Sequence, residues 1–372
     1  MLTFQSRAHA LRRIIMVLGI GSLVHCGLAA VSSSAAAKEK YTIDPVTGTK
    51  YKPEPEMREL LLAFAALGGK PIETLTPAEA RLQPTMADAV EALLKRRGES
   101  SDPTQLVPDV TTVEATIPAA DGTPLTAMVY TPNGPGPFPA VVYFHGGGWV
   151  IGNSHAYDAG ARALAKGAQA VVISVDYRLA PENKFPTPWD DALSTYKWTA
   201  TNVGRWRGDP RRLALAGESA GGNLAISTAI STVDAGVTRP KAVIAIYPVT
   251  QTGTTTDSYV DCGNAKPLNK AMIGWFFDKT LNSVTDKTDP RLDLIHAKLS
   301  LLPPVTIINA QIDPLRSDGA VLEEALKQVN VKVTRKEYEG VTHEFFGAAA
   351  VLPAAKTAQS FAAEQLKDAF KE

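Results

Sequence analysis

Four short segments place reactive side chains in an order that suits nucleophilic acyl transfer. The first is Gly217-Glu218-Ser219-Ala220-Gly221, a G-x-S-x-G pattern directly after the apolar run Leu213 to Ala216 and before a helical stretch, Asn223 to Val233. In a nucleophile elbow the glycines make room for a strained turn between strand and helix, and that turn lifts the serine hydroxyl out of the sheet. At average Gly and Ser usage the pentapeptide alone arises by chance in roughly one chain in ten, so its context carries the assignment of Ser219. The second segment, His145-Gly146-Gly147-Gly148-Trp149, ends the run Ala140 to Phe144. Glycines there let backbone N–H donors approach a tetrahedral oxyanion without side chains in the way. The chain contains neither G-x-x-x-x-G-K-[ST] nor G-x-G-x-x-G at this place, which argues against a phosphate loop.

A serine nucleophile needs a base, and the base needs an orienting carboxylate; in strand–turn–helix hydrolases they follow in the order Ser, acid, His. Asp313 lies just past the run Val305 to Asn309, and His343 follows Val331 to Tyr338 in a short loop. Taken alone, Asp313 reads as the cap of a helix beginning near Ser317, and His343 as an ordinary loop histidine. Their order and position reverse that reading. Asp318 is the rival acid, although it falls in the first turn of the same helix, where negative charge suits the macrodipole. His155 and His296 fall in no recognisable site, and no H-E-x-x-H pattern is present, so neither metal nor cofactor is implied.

These residues must be positioned by elements that the hydrophobic pattern outlines. Val110 to Ile117 and Leu125 to Tyr130, joined through Asp121-Gly122, read as a hairpin. Ala140 to Phe144, Ala170 to Val175, Leu213 to Ala216, Ala242 to Tyr247, Val305 to Asn309 and Val331 to Tyr338 then alternate with helical stretches. That alternation predicts an α/β fold with a mostly parallel sheet covered on both faces and an antiparallel pair at its front edge. Ahead of it, Met57, Leu60, Leu61, Phe64 and Leu67, then Met86, Val90, Leu93 and Leu94, have helical spacing. We read two helices there, in a segment of residues 38–107 that Pro71, Pro77, Pro84 and Pro103 break into pieces suited to a cap. The connection from Thr250 to about Leu302 is too long for a plain loop. It carries Met272, Ile273, Trp275, Phe276 and Phe277.

With these segments in place, residues 108–372 resemble the bacterial hormone-sensitive-lipase-like (family IV) esterases of the α/β-hydrolase superfamily. The resemblance rests on H-G-G-G-W, G-E-S-A-G-G-N, Tyr177-Arg178-Leu179-Ala180-Pro181-Glu182, Gly208-Asp209-Pro210, Asp313-Pro314-Leu315 and His343-Glu344-Phe345-Phe346, all in order. It implies Ser219, Asp313 and His343 as a triad. It also implies an oxyanion hole from Gly147, Gly148 and the amide of Ala220, with Gly146 the alternative to one of the two glycines. Residues 38–107 and part of the 250–302 insertion would form the cap, with Trp149, Met272, Trp275 and Phe276 as candidate pocket residues and short-chain acyl esters as substrates. Glu218 stands where Asp or Thr is frequent in that family. Acetylated sugars, lactones and formamides remain alternative acyl substrates, since the motifs leave the acyl and alcohol groups open. A non-catalytic binding protein of the same fold is a further reading, against which the intact His343 argues.

Composition sets the remaining bounds. The chain has 372 residues, 45% hydrophobic and 20% charged, with 38 Lys plus Arg against 38 Asp plus Glu. Such a balance offers no basic field for a nucleic acid. Residues 1–37 have Arg7, Arg12 and Arg13 ahead of an apolar run from Ile14 to Val31, then small residues ending in Ala35-Ala36-Ala37. That is the layout of a cleaved export signal, which predicts a periplasmic or secreted protein with no stable membrane association after processing. Twin-arginine and Sec export both fit. Without those residues 35 basic face 38 acidic side chains, a formal charge of −3. Only Cys262 is then left, so no internal disulfide is expected. Monomer and homodimer both stay open.

Overall fold

The computed structural model describes residues 41–371, so the expected export signal lies outside the described residues. Eight strands form one sheet: β1 (Val110–Pro118), β2 (Pro124–Pro132), β3 (Phe138–Phe144), β4 (Val171–Val175), β5 (Gly208–Glu218), β6 (Val243–Ile246), β7 (Val305–Ile312) and β8 (Val333–Thr342). Their spatial order is β1-β2-β4-β3-β5-β6-β7-β8. β2 runs antiparallel to β1 and β4, and the other neighbours pair in parallel. The expected hairpin is therefore the mixed edge. Its turn closes through the Ala119 N–H on the Thr123 carbonyl at 2.8 Å, with Gly122 at φ 84°.

The helices are α1 (Pro55–Ala66), α2 (Pro77–Ala80), α3 (Met86–Arg97), α4 (Pro103–Leu106), α5 (Asp158–Ala168), α6 (Thr187–Asn202), α7 (Ala220–Asp234), α8 (Asp257–Asp261), α9 (Lys270–Thr280), α10 (Arg316–Gln328) and α11 (Pro353–Lys371). The two long helices expected before the sheet are α1 and α3, joined through a 3-10 turn capped by Pro71 and the single turn α2, which Pro77 starts at N1. Thr85 begins α3 with a capping box to Asp88, and Gly98 ends it at φ 68° after Lys95, Arg96 and Arg97. Both ends thus meet the orphan backbone groups and the dipole with suitable chemistry.

Alternation along β3 builds two cores. Val142 and Phe144 enter one cluster with Trp189 of α6, Leu224 of α7 and Leu322 of α10. Val141 and Tyr143 enter the other with Leu164 of α5, Leu366 of α11, Leu60 of α1 and Leu93 of α3. Every residue of β3 is buried, as expected for a strand covered on both faces.

Several boundaries differ from those expected. β5 runs to Glu218 rather than Ala216, and α7 starts at Ala220 rather than Asn223, so Ser219 alone makes the turn between them. The left-handed backbone at one residue is enough to reverse the chain, which local apolar spacing cannot register. β8 likewise starts at Val333 rather than Val331 and continues past Gly340 to Thr342, delivering His343 straight from the strand.

Candidate active site

Ser219 sits at φ 55° and ψ −115° between β5 and α7. Its N–H donates to the Ile246 carbonyl at 2.8 Å, and its own carbonyl accepts the Asn223 and Val249 N–H groups at 3.2 Å each. A Cβ on Gly217 would meet the Gly221 carbonyl, and one on Gly221 would meet the Phe144 carbonyl. The G-x-S-x-G spacing is therefore a packing requirement: three backbone segments cross too closely for side chains.

Three distant segments converge on the Ser219 hydroxyl. His343 Nε2 lies 3.0 Å from Ser219 Oγ, and His343 Nδ1 lies 2.7 Å from Asp313 Oδ2. Ser219, His343 and Asp313 are 6%, 3% and 0% exposed, so water does not compete for these bonds. An imidazole between a hydroxyl and a carboxylate can take the hydroxyl proton and return it to a leaving group. Burial pulls the His343 pKa down, but the Asp313 charge and hydrogen bond outweigh it, helped by Glu344 and Glu218, and the net shift is upward. Asp313 is not the cap of α10, whose N-cap position is Leu315 without a side-chain cap bond; its Oδ1 instead accepts the Leu315 N–H at 2.8 Å in the turn that enters the helix. One carboxylate oxygen is used by the turn and the other by the imidazole.

Asp318 is placed elsewhere. Its Oδ2 accepts the Thr250 N–H at 3.1 Å and its Oδ1 the Gln251 amide at 3.3 Å, which ties the root of the 250–302 connection to α10. Burial pushes its pKa up to about 8, against the bonds from Thr250 and Gln251 that lower it.

After β3 the glycine loop turns with φ 95° at Gly147, 58° at Gly148 and 61° at Trp149. A Cβ on Gly148 would enter the Phe276 ring, and one on Gly147 would enter the Ile151 carbonyl. Among the described residues, no backbone carbonyl accepts the N–H of Gly147 or Gly148, and Ala220 stands at the first position of α7, where the N–H has no intrahelical partner. These donors are free for an incoming oxygen. His145 is buried behind them, stacked on Tyr177 at 4.3 Å, with the Tyr177 hydroxyl donating to the His145 carbonyl at 2.9 Å.

A cavity of about 550 Å³ opens over Ser219 and His343, within the range of small-molecule sites. Gly147, Gly148, Trp149, Met272, Phe276 and Phe277 line it, joined by Met86 and Val90 of α3. Trp275, expected among the pocket residues, does not line it. Met272 and Phe276 are four residues apart and share a face of α9, whereas Trp275 is rotated away and its indole N–H donates to the Leu75 carbonyl at 3.2 Å.

Sequence reasoning missed a group of acids and phenols beside the imidazole, all buried except the half-buried Glu344. Glu218 accepts from the Tyr143 and Tyr247 hydroxyls, and Glu344 Oε1 accepts from Tyr157 at 2.7 Å. The Tyr247 ring lies 4.5 Å from that of His343. Burial, reinforced by Glu344 and opposed by the two tyrosines, brings Glu218 to about 7. The one local signal was an acid directly next to each of Ser219 and His343.

Comparison with known proteins agrees with this geometry. A family model described as the alpha/beta hydrolase fold matches residues 141–347. The carboxylesterase NlhH of Mycobacterium tuberculosis is 36% identical over 298 residues, covering 77% of this chain and 91% of the relative. The ethyl acetate hydrolase of Pseudomonas putida is 34% identical over 230 residues, covering 60% and 72%. Among solved structures, an esterase of Pyrobaculum calidifontis superposes with TM-score 0.73 at 35% identity, covering 80% of this chain and 94% of that one. A thermostable esterase of Pseudomonas putida ECU1011 gives TM-score 0.76 at 29% identity, covering 86% and 98%. The chain belongs to the hormone-sensitive-lipase-like branch of the α/β-hydrolase superfamily.

Proposed function

We propose that this serine carboxylesterase cleaves short-chain acyl esters through an acyl-enzyme on Ser219. The observation that carries the reading is the unbroken line from Ser219 Oγ through His343 to Asp313, opening on an apolar cavity. That the protein is a carboxylic ester hydrolase acting on small molecules follows from its family and relatives. Ser219 attacks the ester carbonyl while His343 takes its proton and passes it to the departing alcohol. Asp313 holds the imidazole in the tautomer that leaves Nε2 as acceptor and stabilises the imidazolium that forms. The N–H groups of Gly147, Gly148 and Ala220 receive the oxyanion. Water then repeats the sequence on the acyl-enzyme.

Residues 42–107 of the expected cap segment and part of the 250–302 insertion serve as the cap. This is supported by the Trp275 bond to Leu75, the Asn269 amide donating to Glu73 at 3.0 Å, and the cavity lining drawn from both segments. Each buried methylene adds about 0.8 kcal/mol of binding until the pocket ends. Beyond that point further carbons distort packing or stay in water. With nitrophenyl esters of increasing acyl length, kcat/KM is expected to peak between roughly two and six carbons and then decline. A maximum at about twelve carbons with activation at an oil–water interface would overturn the short-chain reading.

The protein acts outside the cytoplasm after losing residues 1–37. The small residues Ala35 to Ala37, placed after the apolar run, support processing there. N-terminal sequencing of exported protein is expected to read from near Lys38, and an intact Met1 on cytoplasmic protein would refute this.

A further inference from the structure

The free N–H of Gly148 owes its direction to a side chain of the N-terminal segment. The Gly147 carbonyl and the Gly148 N–H belong to one planar trans peptide, so they point in opposite directions. That carbonyl accepts the Val150 N–H at 3.1 Å and the Ile151 N–H at 2.9 Å. The Ile151 N–H in turn shares a peptide plane with the Val150 carbonyl, and this carbonyl accepts Arg81 Nε at 2.9 Å. Arg81 comes from the end of α2, and its Nη2 donates to the Ala180 carbonyl at 2.8 Å. The Ala180 N–H meanwhile holds the Trp149 carbonyl at 2.9 Å. One guanidinium therefore bridges the glycine loop and the segment packed beside it, and Glu182 grips its outer nitrogens at 2.6 and 2.9 Å. A loop with three consecutive residues at positive φ, one of them Trp149, needs such bracing, because non-glycine residues persist there only when their surroundings over-determine them.

We infer that Arg81 is a positioning residue for catalysis: by fixing the Val150–Ile151 peptide it fixes the Gly147 carbonyl and so aims the Gly148 N–H at the developing oxyanion. The inference rests on the oxyanion-hole reading given above. It makes the N-terminal segment part of the catalytic apparatus as well as a cover for the pocket. Lysine cannot replace Arg81, because a point charge on a flexible stem does not supply the planar fork that spans two carbonyls.

The test compares Arg81→Ala, Arg81→Lys and Glu182→Gln with the wild-type enzyme on a soluble nitrophenyl ester, together with inhibition by a trifluoromethyl ketone that forms a tetrahedral adduct. Arg81→Ala is expected to lower kcat about 10- to 100-fold, less than the roughly 10²–10³ that follows outright loss of a donor, with KM nearly unchanged. Ketone affinity should fall by the same factor as kcat/KM. Guanidinium ion below denaturing concentration should restore part of kcat, and ammonium should not. Arg81→Lys is expected to behave like Arg81→Ala, and it carries the same test should the alanine variant fail to fold. Glu182→Gln keeps both carbonyl bonds and is expected to stay within about threefold of wild type, as for other exposed ion pairs. A rise in KM at constant kcat, a kcat loss without loss of ketone affinity, or an equal loss in Glu182→Gln would overturn the inference. Covalent labelling of wild-type Ser219 by a fluorophosphonate tests the underlying site separately: an active protein left unlabelled there defeats the site reading, whatever the Arg81 variants do.

Discussion

Ser219→Ala is expected to lower kcat on a soluble ester by about four to six orders of magnitude while the protein stays folded, in line with hydrolases whose triad works as a unit. Such a factor corresponds to about 5.5–8 kcal/mol of lost transition-state stabilisation. The size follows from what is removed. Without Oγ there is no acyl-enzyme, and the His343 base has no proton to take; only binding and the backbone donors continue to assist water. The fold has little reason to change. Alanine keeps the Cβ at the same positive φ, and the backbone bonds of residue 219 to Ile246, Asn223 and Val249 do not involve the hydroxyl. Circular dichroism and thermal melting check the fold, and burst and steady-state kinetics check the chemistry. A folded Ser219→Ala protein with retained esterase activity would remove Ser219 from the mechanism.

Legibility in the sequence followed the range of the interaction. The strands that carry the site were readable because burial on both faces makes continuous β-branched runs, as in Val141-Val142-Tyr143-Phe144. The elbow was readable because the close crossing of β5, α7 and β3 forbids side chains at Gly217 and Gly221, leaving a mark of composition at fixed spacing. The Ser219, Asp313 and His343 positions were readable through chain order at strand ends, although they are 94 and 30 residues apart in sequence. What stayed hidden depends on side-chain pairing between remote segments. The Tyr157 bond to Glu344 spans 187 residues, and that from Arg81 to Val150 spans 69. No periodic pattern announces either one. Trp275 failed for a different reason: an aromatic run on a helix cannot all face one cavity, and at 100° per residue Met272, Phe276 and Phe277 reach it while Trp275 is turned away.

The choice between the two acids of α10 and its entry turn yields the second large effect. Asp313→Asn is expected to reduce kcat by about 10⁴, whereas Asp318→Asn should cost less than about tenfold. At Asp313 the carboxylate accepts from His343 Nδ1 at 2.7 Å. An amide there can turn its NH₂ group toward Nδ1, which favours the tautomer with the proton on Nε2 and leaves no acceptor facing Ser219. At Asp318 the environment already favours a neutral group. Burial raises its pKa to about 8, which disfavours the charged form, and asparagine still offers an acceptor to the Thr250 N–H. The two variants should also differ in pH dependence. His343 acts as a base only when neutral, and the Asp313 charge is the largest influence opposing the burial that pulls the imidazole pKa down. Removing that charge leaves burial dominant, so the folded-state pKa drops and the acid limb of kcat/KM moves to lower pH, even as the plateau collapses. Asp318→Asn should leave that limb where it is. Measuring kcat/KM from acid to neutral pH for wild type and both variants decides the matter. Equal losses in the two variants, or an acid limb that moves only in Asp318→Asn, would transfer the orienting role away from Asp313.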